Sequence, residues 1–266
     1  MAIDGAASID LGPQAGELCD RAVAETARLL GRGSSRVQDA WLRSRAVRRL
    51  ATHPQILGLL QAAYGREPFA FQTLNFERGT QQPLHSDTVH FNTEPPGLMC
   101  GVWIALEDVD PQAGPLIYRP GSHRMPVINM RAVGVNGRPT LDDYQRHYEP
   151  GFEAKLKATD LPMKRLLLRK GQAFAWAANL AHGGSAIENP TLTRRSLVVH
   201  YYFKDALYYT PRLSDEVAGD LYFRLPFDIK TGWWVWPRRD GRRIRLPART
   251  VLASILARVF KVVPKA

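Results

Sequence analysis

The hydrophobic residues near the start of the chain follow a helical period. Over residues 14–64 they recur at helical spacing, as in Leu18, Ala22, Val23, Leu29 and Leu30, with Thr26 as the one polar member of that stripe. A second periodic stretch begins at Trp41, and Pro54 stands in the first turn of a short helix that runs to Leu60. We therefore predict an N-terminal helical segment, residues 1–68, that packs on the core.

The period changes after residue 68 to short runs of β-branched and aromatic residues, separated by Gly and Pro turns. The predicted strands cover residues 69–76, 99–106, 115–118, 172–177 and 196–203. Most consecutive strands are joined without a helix, which favours an antiparallel sandwich or a jelly-roll barrel. We expect this core to span residues 69–205, with 206–266 as a C-terminal extension of the same single domain.

The sheet pattern stops between residues 126 and 169, where the chain is polar and contains Gly134, Gly137 and Pro139. An insertion of this length between two strands is either a lid over a binding site or a disordered loop. Both interpretations are open on sequence grounds.

Composition limits the class of protein. The chain has 266 residues, 45% of them hydrophobic, which suffices for one large domain with a substantial core. Its two cysteines are too few for a disulfide scaffold, and its N-terminus has no basic segment followed by an apolar one. No run approaches the roughly 18 apolar residues of a membrane span. We expect a cytoplasmic protein, with peripheral contact at the inner face of the membrane as an option.

The positive charge lies at one end of the chain. Residues 224–266 hold eleven Lys or Arg against Asp228 and Asp240, a balance of 11 − 2 = +9. The net charge of the whole chain is +11, so the other 223 residues carry only +2. An anionic partner is therefore expected to meet the C-terminal extension.

The extension also carries aromatic and apolar residues. Trp233, Trp234 and Trp236 precede a cluster of arginines. An apolar stripe bordered by Arg249, Arg258 and Lys261 follows, formed by Val251, Leu252, Ile255, Leu256, Val259 and Phe260. Three interpretations are open: a helix docked on the body, contact with an anionic membrane surface through residues 233–261, or nucleic-acid binding, which is the least favoured.

The candidate chemistry begins with His85-Ser86-Asp87. Side chains at positions i and i+2 of an extended strand point to the same face, so a His and a carboxylate can hold one metal ion. His182, which follows a later strand, can complete a two-His, one-carboxylate site. Such a site suits non-haem Fe(II), because it leaves coordination positions open. Alternatively, His182 is a core histidine bonded to the backbone.

A second set of polar residues follows His182. If residues 194–201 form a strand, Arg194, Ser196, Val198 and His200 share one face, and Arg195 lies on the other. An Arg and a Ser that point together into a barrel form a binding site for a carboxylate.

Four segments resemble the phytanoyl-CoA dioxygenase family of Fe(II)/2-oxoglutarate oxygenases. They are LHSD (84–87), GVWIALEDVDPQAGPLIYRPGSHR (101–124), AHGG (181–184) and RRSLVVHYY (194–202). The resemblance covers about residues 55–205. It implies a mostly β fold with flanking helices around a double-stranded β-helix, the cupin-like form of the jelly roll.

The resemblance also assigns residues. It implies that His85, Asp87 and His182 are the iron ligands and catalytic residues. Arg194 matches the position that binds the far carboxylate of 2-oxoglutarate, with Arg195 as the alternative. Trp103 matches an aromatic position near this co-substrate, although it reads equally well as a core tryptophan.

Two further polar residues precede the metal motif. Gln72 and Asn75 lie on the predicted strand that leads toward His85. We expect them to donate hydrogen bonds to 2-oxoglutarate or to the substrate, or else to lie on an outward strand face.

The implied activity needs Fe(II), 2-oxoglutarate and O2. It is hydroxylation of an unactivated C–H bond of a small or carrier- or lipid-linked molecule, with release of succinate and CO2. Related halogenases replace the carboxylate ligand with a small residue, so the retained Asp87 favours hydroxylation. The alternative is a cupin-like metal-binding protein or a metalloenzyme without 2-oxoglutarate, which would not need the face formed by Arg194 and Ser196.

Overall fold

The protein is described here by a computed structural model that covers residues 1, 3–30 and 36–260, with the backbone alone at 258–260. The strands are β1 (Ala6–Asp10), β2 (Arg36–Gln38), β3 (Pro68–Phe76), β4 (Asn92–Glu94), β5 (Met99–Ala105), β6 (Leu116–Tyr118), β7 (Lys164–Leu166), β8 (Gln172–Ala177), β9 (His182–Gly184), β10 (Ser196–Phe203), β11 (Leu207–Tyr209), β12 (Arg238–Arg239) and β13 (Arg242–Arg243). The α-helices are α1 (Ala15–Ala27), α2 (Arg45–Ala51), α3 (Pro54–Tyr64), α4 (Glu149–Lys157) and α5 (Ala248–Phe260).

A six-stranded antiparallel sheet forms the centre of the molecule, in the order β1-β8-β5-β10-β3-β2. A smaller sheet, β7-β6-β9, packs against one face of it through a shared apolar cluster. Strands β4 and β11 form a separate pair. Two facing antiparallel sheets around one interior are the jelly-roll architecture, so the predicted fold class is confirmed.

The side chains of β10 point alternately to two sides of the large sheet, one covered by helices and the other facing the smaller sheet. Leu197, Val199, Tyr201 and Phe203 face the helices α1 to α3 and belong to the largest apolar cluster. The hydroxyl of Tyr201 donates a hydrogen bond of 2.8 Å to the carbonyl of Ala51 in α2. The other face of β10 points between the two sheets. The helical segment therefore covers one side of the large sheet, and the site residues lie on the opposite side.

The predicted helices and the five predicted strands are present with small shifts of their ends. Two strands inside the segment predicted as helical were missed. The first, β1, pairs with β8, and β2 pairs with β3, so both lie at the edges of the large sheet. Strands of five and three residues are too short to show a clear period, which explains the error.

The insertion at residues 126–169 packs as part of the protein. It contains a turn of π-helix, Tyr144–Tyr148, which runs into α4. Its apolar side chains form a cluster with residues that flank the metal motif and β9: Val89, Ile128, Met130, Tyr148, Phe152, Leu156 and Ala181. The insertion ends with β7, which pairs with β6. It therefore both covers the barrel and contributes one of its strands.

The C-terminal helix α5 contacts the body through small side chains. Together with Trp41, Ala253 and Ala257 line a cavity of about 220 Å³. The large apolar side chains point away from the body, with Leu252 58%, Ile255 44% and Leu256 45% exposed. Within the described ranges, no helix has the length and apolar character to cross a bilayer. The side chains of Arg258, Val259 and Phe260, and the whole of Lys261, lie outside the described residues.

Gly101 in β5 makes room for a large ring between the sheets. A Cβ at this position would overlap the indole of Trp176 in the neighbouring strand β8. The indole is 1% exposed and its Nε1 donates a hydrogen bond of 2.8 Å to Oδ2 of Asp87, so a shift of the ring would disturb this bond. Gly101 is therefore required by the packing of Trp176.

We expect Gly101→Ala to lower the free energy of unfolding by about 1–3 kcal/mol, because overpacking a filled interior forces the ring to shift. Gly58→Ala is the matched control, since a Cβ on this exposed residue of α3 meets no atom within 4 Å. Replacing a glycine in a helix interior by alanine raises the free energy of unfolding by about 0.5–1 kcal/mol. The control is therefore expected to be stabilised, and Gly101→Ala to be destabilised. Urea unfolding gives the free energy of unfolding of both variants and of the wild type. Equal effects would contradict the packing role of Gly101.

Candidate active site

A backbone bridge brings His85 and His182 together. The amide of His85 donates to the carbonyl of His182 at 2.9 Å, and the amide of His182 donates back to the carbonyl of His85 at 3.0 Å. The two ring centroids are 4.5 Å apart. A Cβ on Gly183 would lie 2.7 Å from the carbonyl oxygen of Gln82. The glycine after His182 therefore lets the segment before His85 lie directly against β9.

The metal motif differs in detail from the predicted strand. His85 makes a single bridge outside any strand, and Ser86 is extended at φ −117° and ψ 139°. Asp87 then begins a short 3-10 turn, Asp87–Val89. One extended residue is sufficient to place both side chains on the same side of the chain.

The three side chains form a compact cluster of ligand atoms. Oδ1 of Asp87 lies 3.9 Å from Nε2 of His85 and 3.8 Å from Nε2 of His182. The ligand atoms of all three residues lie within 4.8 Å of one another. The cluster is buried, with His85 6%, Asp87 4% and His182 6% exposed.

Hydrogen bonds fix the tautomer of both histidines. Nδ1 of His85 lies 2.9 Å from the carbonyl oxygen of Pro83, and Nδ1 of His182 lies 2.9 Å from that of Leu180. A carbonyl only accepts, so Nδ1 carries the proton and Nε2 keeps its lone pair, as a metal ligand requires. The amide nitrogen of Gln82 lies 3.3 Å from Nε2 of His85, where it donates to the lone pair that a metal ion would take.

The indole of Trp176 orients the carboxylate. Its Nε1 donates to Oδ2 of Asp87 at 2.8 Å, and Oδ1 is left facing the two imidazoles. Burial alone would raise the pKa of Asp87, but the three neighbouring histidines and the indole hydrogen bond hold this pKa below its usual value. Burial lowers the pKa of His85 to about 4. At neutral pH the carboxylate is ionised and this imidazole is neutral, which are the states that bind metal.

Arg194 is a buried cation beside the cluster. It is 4% exposed, and its Cζ lies 5.6 Å from the ring centroid of Trp103. Among the described residues no carboxylate lies within salt-bridge distance of Arg194, and its Nε is buried without a hydrogen-bond partner. Burial lowers the pKa of Arg194 to about 10, so the guanidinium stays charged at neutral pH. Its Nη2 donates a long hydrogen bond of 3.5 Å to the carbonyl oxygen of Arg78, which does not neutralise the charge. A buried cation without a counter-charge is costly, which favours an anionic ligand at this place.

The neighbouring Arg195 points the other way. Its amide donates to Oε1 of Glu107 at 2.6 Å, and its guanidinium lies 3.4 Å from the second carboxylate oxygen. The register of β10 is regular from Ser196 to His200, and its irregularity falls between His200 and Tyr201. The predicted facing of Arg194 and Ser196 therefore holds.

Six of the eight predicted site residues line a cavity of about 310 Å³ between the two sheets. The three ligand residues line it, together with Arg194, Trp103 and Gln72. Ser196 lies next to this group, buried and with its hydroxyl unpaired, as is the indole N–H of Trp103.

Gln72 and Asn75 lie on opposite faces of β3. Oε1 of Gln72 lies 3.0 Å from Nδ1 of His200, inside the cavity. Asn75 is buried but does not line the cavity, so its contact with 2-oxoglutarate or substrate stays a prediction. Gln72, Leu74 and Phe76 line the cavity, so the residue between the last two faces the opposite side of β3.

Several cavity residues were missed at the sequence level. Trp176 and Arg212 line the cavity without a predicted role. His90 and His200 line it too, and the second of these was placed on the cavity face of its strand without a role. The alternation of Phe174 and Trp176 in β8 was a usable signal for Trp176. No local signal marks Arg212, because it lies in the extension and reaches the cavity only through the fold.

The comparison with known sequences covers most of the barrel. The profile of the family described as Phytanoyl-CoA dioxygenase (PhyH) matches residues 16–196. The peroxisomal phytanoyl-CoA dioxygenase of Rattus norvegicus is 24% identical over 173 residues, which is 58% of this chain. The match spans 45% of that relative, so the chain aligns with less than half of its length.

Solved structures share the fold. The non-haem α-ketoglutarate-dependent epimerase SnoN from nogalamycin biosynthesis has a TM-score of 0.57 and 25% identity, over 78% of this chain and 81% of that one. The non-haem α-ketoglutarate-dependent carbocyclase SnoK from nogalamycin biosynthesis has a TM-score of 0.60 and 20% identity, over 82% and 86% of the two chains. Since the family profile matches more than half of the chain, the protein belongs to the phytanoyl-CoA dioxygenase family of 2-oxoglutarate-dependent non-haem iron oxygenases.

Proposed function

We propose that this member of the family hydroxylates an unactivated C–H bond of a small or carrier- or lipid-linked molecule, using Fe(II), 2-oxoglutarate and O2 and releasing succinate and CO2. One observation carries the proposal. A buried cluster of two imidazoles and one carboxylate shares its cavity with Arg194, a buried cation that has no acidic partner among the described residues. The two features correspond to the two components that such an oxygenase must hold.

His85, Asp87 and His182 would hold the iron through Nε2, Oδ1 and Nε2. The fixed tautomers and the depressed pKa of Asp87 suit this role, because metal ligands must be deprotonated at the ligating atom. When bound, iron couples the oxidative decarboxylation of 2-oxoglutarate to oxidation of the substrate by O2. Trp176 positions the carboxylate through the second oxygen and is 1% exposed, so it also excludes water from that side.

Arg194 would bind the far carboxylate of 2-oxoglutarate. A guanidinium binds both oxygens of a carboxylate, and the unpaired hydroxyl of Ser196 can add a third donor. The ring of Trp103 packs beneath the guanidinium, and its unpaired indole N–H lies on the same side of the sheet. Gln72 is the remaining predicted donor inside the cavity. The cupin-like alternative gives no reason for a buried arginine at this position.

Hydroxylation is the outcome that the ligand set favours. Asp87 keeps the carboxylate whose loss would free a position for a halide, so halogenation is disfavoured. The names of SnoN and SnoK, an epimerase and a carbocyclase, show that this fold supports other outcomes as well. What decides among them is which substrate atom lies nearest the metal.

We expect anaerobic protein with Fe(II) and 2-oxoglutarate to develop a weak visible charge-transfer band. His182→Ala should abolish the band, because two ligands cannot hold the chelate. His147→Ala is the control, since this histidine lies in the insertion with its side chain 50% exposed and outside the cavity. The assignment fails if the wild-type protein gives no band, or if His182→Ala leaves the band undiminished.

The two adjacent arginines offer a matched pair of variants. Arg194→Ala should weaken 2-oxoglutarate binding about tenfold to a hundredfold, the effect of losing charge-assisted hydrogen bonds. Arg195→Ala should leave it unchanged, since Arg195 pairs with Glu107 outside the cavity. Following the charge-transfer band while 2-oxoglutarate is added gives its dissociation constant for each variant. A larger loss of 2-oxoglutarate affinity in Arg195→Ala than in Arg194→Ala would assign 2-oxoglutarate binding to Arg195.

We also propose that the C-terminal extension contacts an anionic membrane surface. Helix α5 leaves its large apolar side chains exposed while Arg249 borders them, and Trp233 is 74% exposed. Apolar side chains that enter the interface beside basic residues are typical of helices that lie on anionic membranes. The proposal is consistent with a lipid-linked substrate.

We expect the triple variant Leu252→Ser, Ile255→Ser, Leu256→Ser to lose co-sedimentation with phosphatidylglycerol vesicles, because its apolar face is gone. The control replaces three exposed apolar residues of the insertion, Val127→Ser, Leu141→Ser and Met163→Ser. This control should pellet like the wild type. Equal pelleting of all three proteins would remove the membrane proposal, and salt-sensitive binding of RNA by each would favour the nucleic-acid interpretation instead.

A further inference from the structure

Arg212 is one of three arginines that line the cavity among the described residues, with Arg36 and Arg194. It belongs to a short 3-10 turn, Pro211–Leu213, which contacts the turn that begins at Asp87. Its side chain is half-buried, and its Cζ lies 5.8 Å from the ring centroid of Tyr144. In the described part of the chain, Arg212 makes no hydrogen bond and no ion pair within 4 Å.

Two polar rings lie beside Arg212. The imidazole of His90 and the phenol of Tyr144 contact each other in a tilted arrangement, with their ring centroids 4.9 Å apart. Neither ring has a hydrogen-bond partner among the described residues. His90 and Arg212 both line the cavity, and Tyr144 belongs to the insertion at residues 126–169. A guanidinium, an imidazole and a hydroxyl are thus close together with their donors unused.

The acidic residues nearby are engaged elsewhere. Glu216, four residues after Arg212, accepts hydrogen bonds from Tyr209 at 2.9 Å and from Asn129 at 3.0 Å. Asp87 is the one acidic residue among the described residues that line the cavity, and it is bonded to Trp176. Glu149 is close enough to Tyr144 to raise the pKa of its phenol, but none of the described carboxylates forms an ion pair with Arg212 within 4 Å.

Binding of Fe(II) and 2-oxoglutarate does not provide an anionic partner for Arg212. Fe(II) and the dianion of 2-oxoglutarate carry equal and opposite charges, so binding both leaves the cationic excess of the cavity unchanged. Arg194 and Arg212 also lie against different walls, the first over Trp103 and the second beside Tyr144. The carboxylate bound at Arg194 is therefore not the partner of Arg212.

We infer that Arg212, with His90 and Tyr144 beside it, binds an oxyanion group of the substrate, a carboxylate or a phosphate. This inference rests on the proposed function, because it places the substrate in the same cavity as the metal cluster. The oxyanion fixes the substrate at one end, and the carbon to be oxidised lies between Arg212 and the cluster. Because Tyr144 belongs to the insertion, occupation of this site also brings the substrate into contact with that segment.

The test uses anaerobic protein loaded with Fe(II) and 2-oxoglutarate. Hexyl phosphate, hexanoate and neutral hexanamide are titrated in turn, and the shift of the charge-transfer band reports their entry. At least one anion should bind about tenfold or more tightly than hexanamide, as expected for charge-assisted hydrogen bonds. Which of the two anions binds more tightly distinguishes a phosphate from a carboxylate.

Three variants assign the effect to the side chain. Arg212→Gln should lose the preference for anions while keeping its affinity for 2-oxoglutarate, and Arg212→Lys should restore part of the preference. Arg131→Gln is the control, because it removes an exposed arginine of the insertion that does not line the cavity. Equal binding of anions and amide, or an unchanged preference in Arg212→Gln, would overturn the inference.

A second measurement separates this inference from the proposed function. Saturation-transfer NMR of the same three probes on metal-free protein compares wild type with Arg212→Gln without using the band. A missing band with an intact anion preference would contradict the proposed function alone. A normal band without an anion preference would contradict the role of Arg212 alone. Anions that displace 2-oxoglutarate would show that they bind at Arg194, and would also count against Arg212.

Discussion

The pair of backbone hydrogen bonds between His85 and His182 is the constraint on which the site depends. It fixes two residues that are far apart in the sequence at one point between the sheets, independently of their side chains. The bridge needs a close approach of two segments, and Gly183 permits it. Once the two histidines are fixed, the carboxylate of Asp87 reaches their imidazoles through the local backbone conformation of residues 85–87 alone. Ligand positions that are set by backbone pairing are more rigid than positions set by side-chain packing alone.

Charge distribution is the second organising property of the cavity. One carboxylate stands among several arginines and imidazoles, and both Asp87 and Arg194 are only 4% exposed. Buried cations without partners destabilise the folded protein unless an anion joins them. The ring of Trp103 offsets part of this cost at Arg194. Stability and ligand binding are therefore linked, because the anions that the cavity accepts also remove an unfavourable term from the folded state.

The parts of the site that follow from local alternation were predictable from sequence. Arg194, two residues before β10, faces the cavity because the extended chain has a period of two, which also turns Arg195 outward. The same rule places Gln72 and Asn75, three residues apart, on opposite sides of β3. Alternation in β8 indicates the inner face for Trp176, but neither its bond to Asp87 nor the position of Arg212 could be assigned. Their roles depend on which distant segments meet across the barrel, and this is a property of the three-dimensional fold.

The hydrogen bond from Trp176 to Asp87 gives the centre an intrinsic fluorophore. The indole is 1% exposed, so solvent contributes little to its emission. It lies 4.6 Å from the ring of His182 and shares its N–H with the ligand carboxylate. Charges in buried surroundings are weakly screened, so a change of charge at the cluster acts strongly on this ring. The residue that orients the carboxylate can thus also signal, by its light emission, whether the centre is filled.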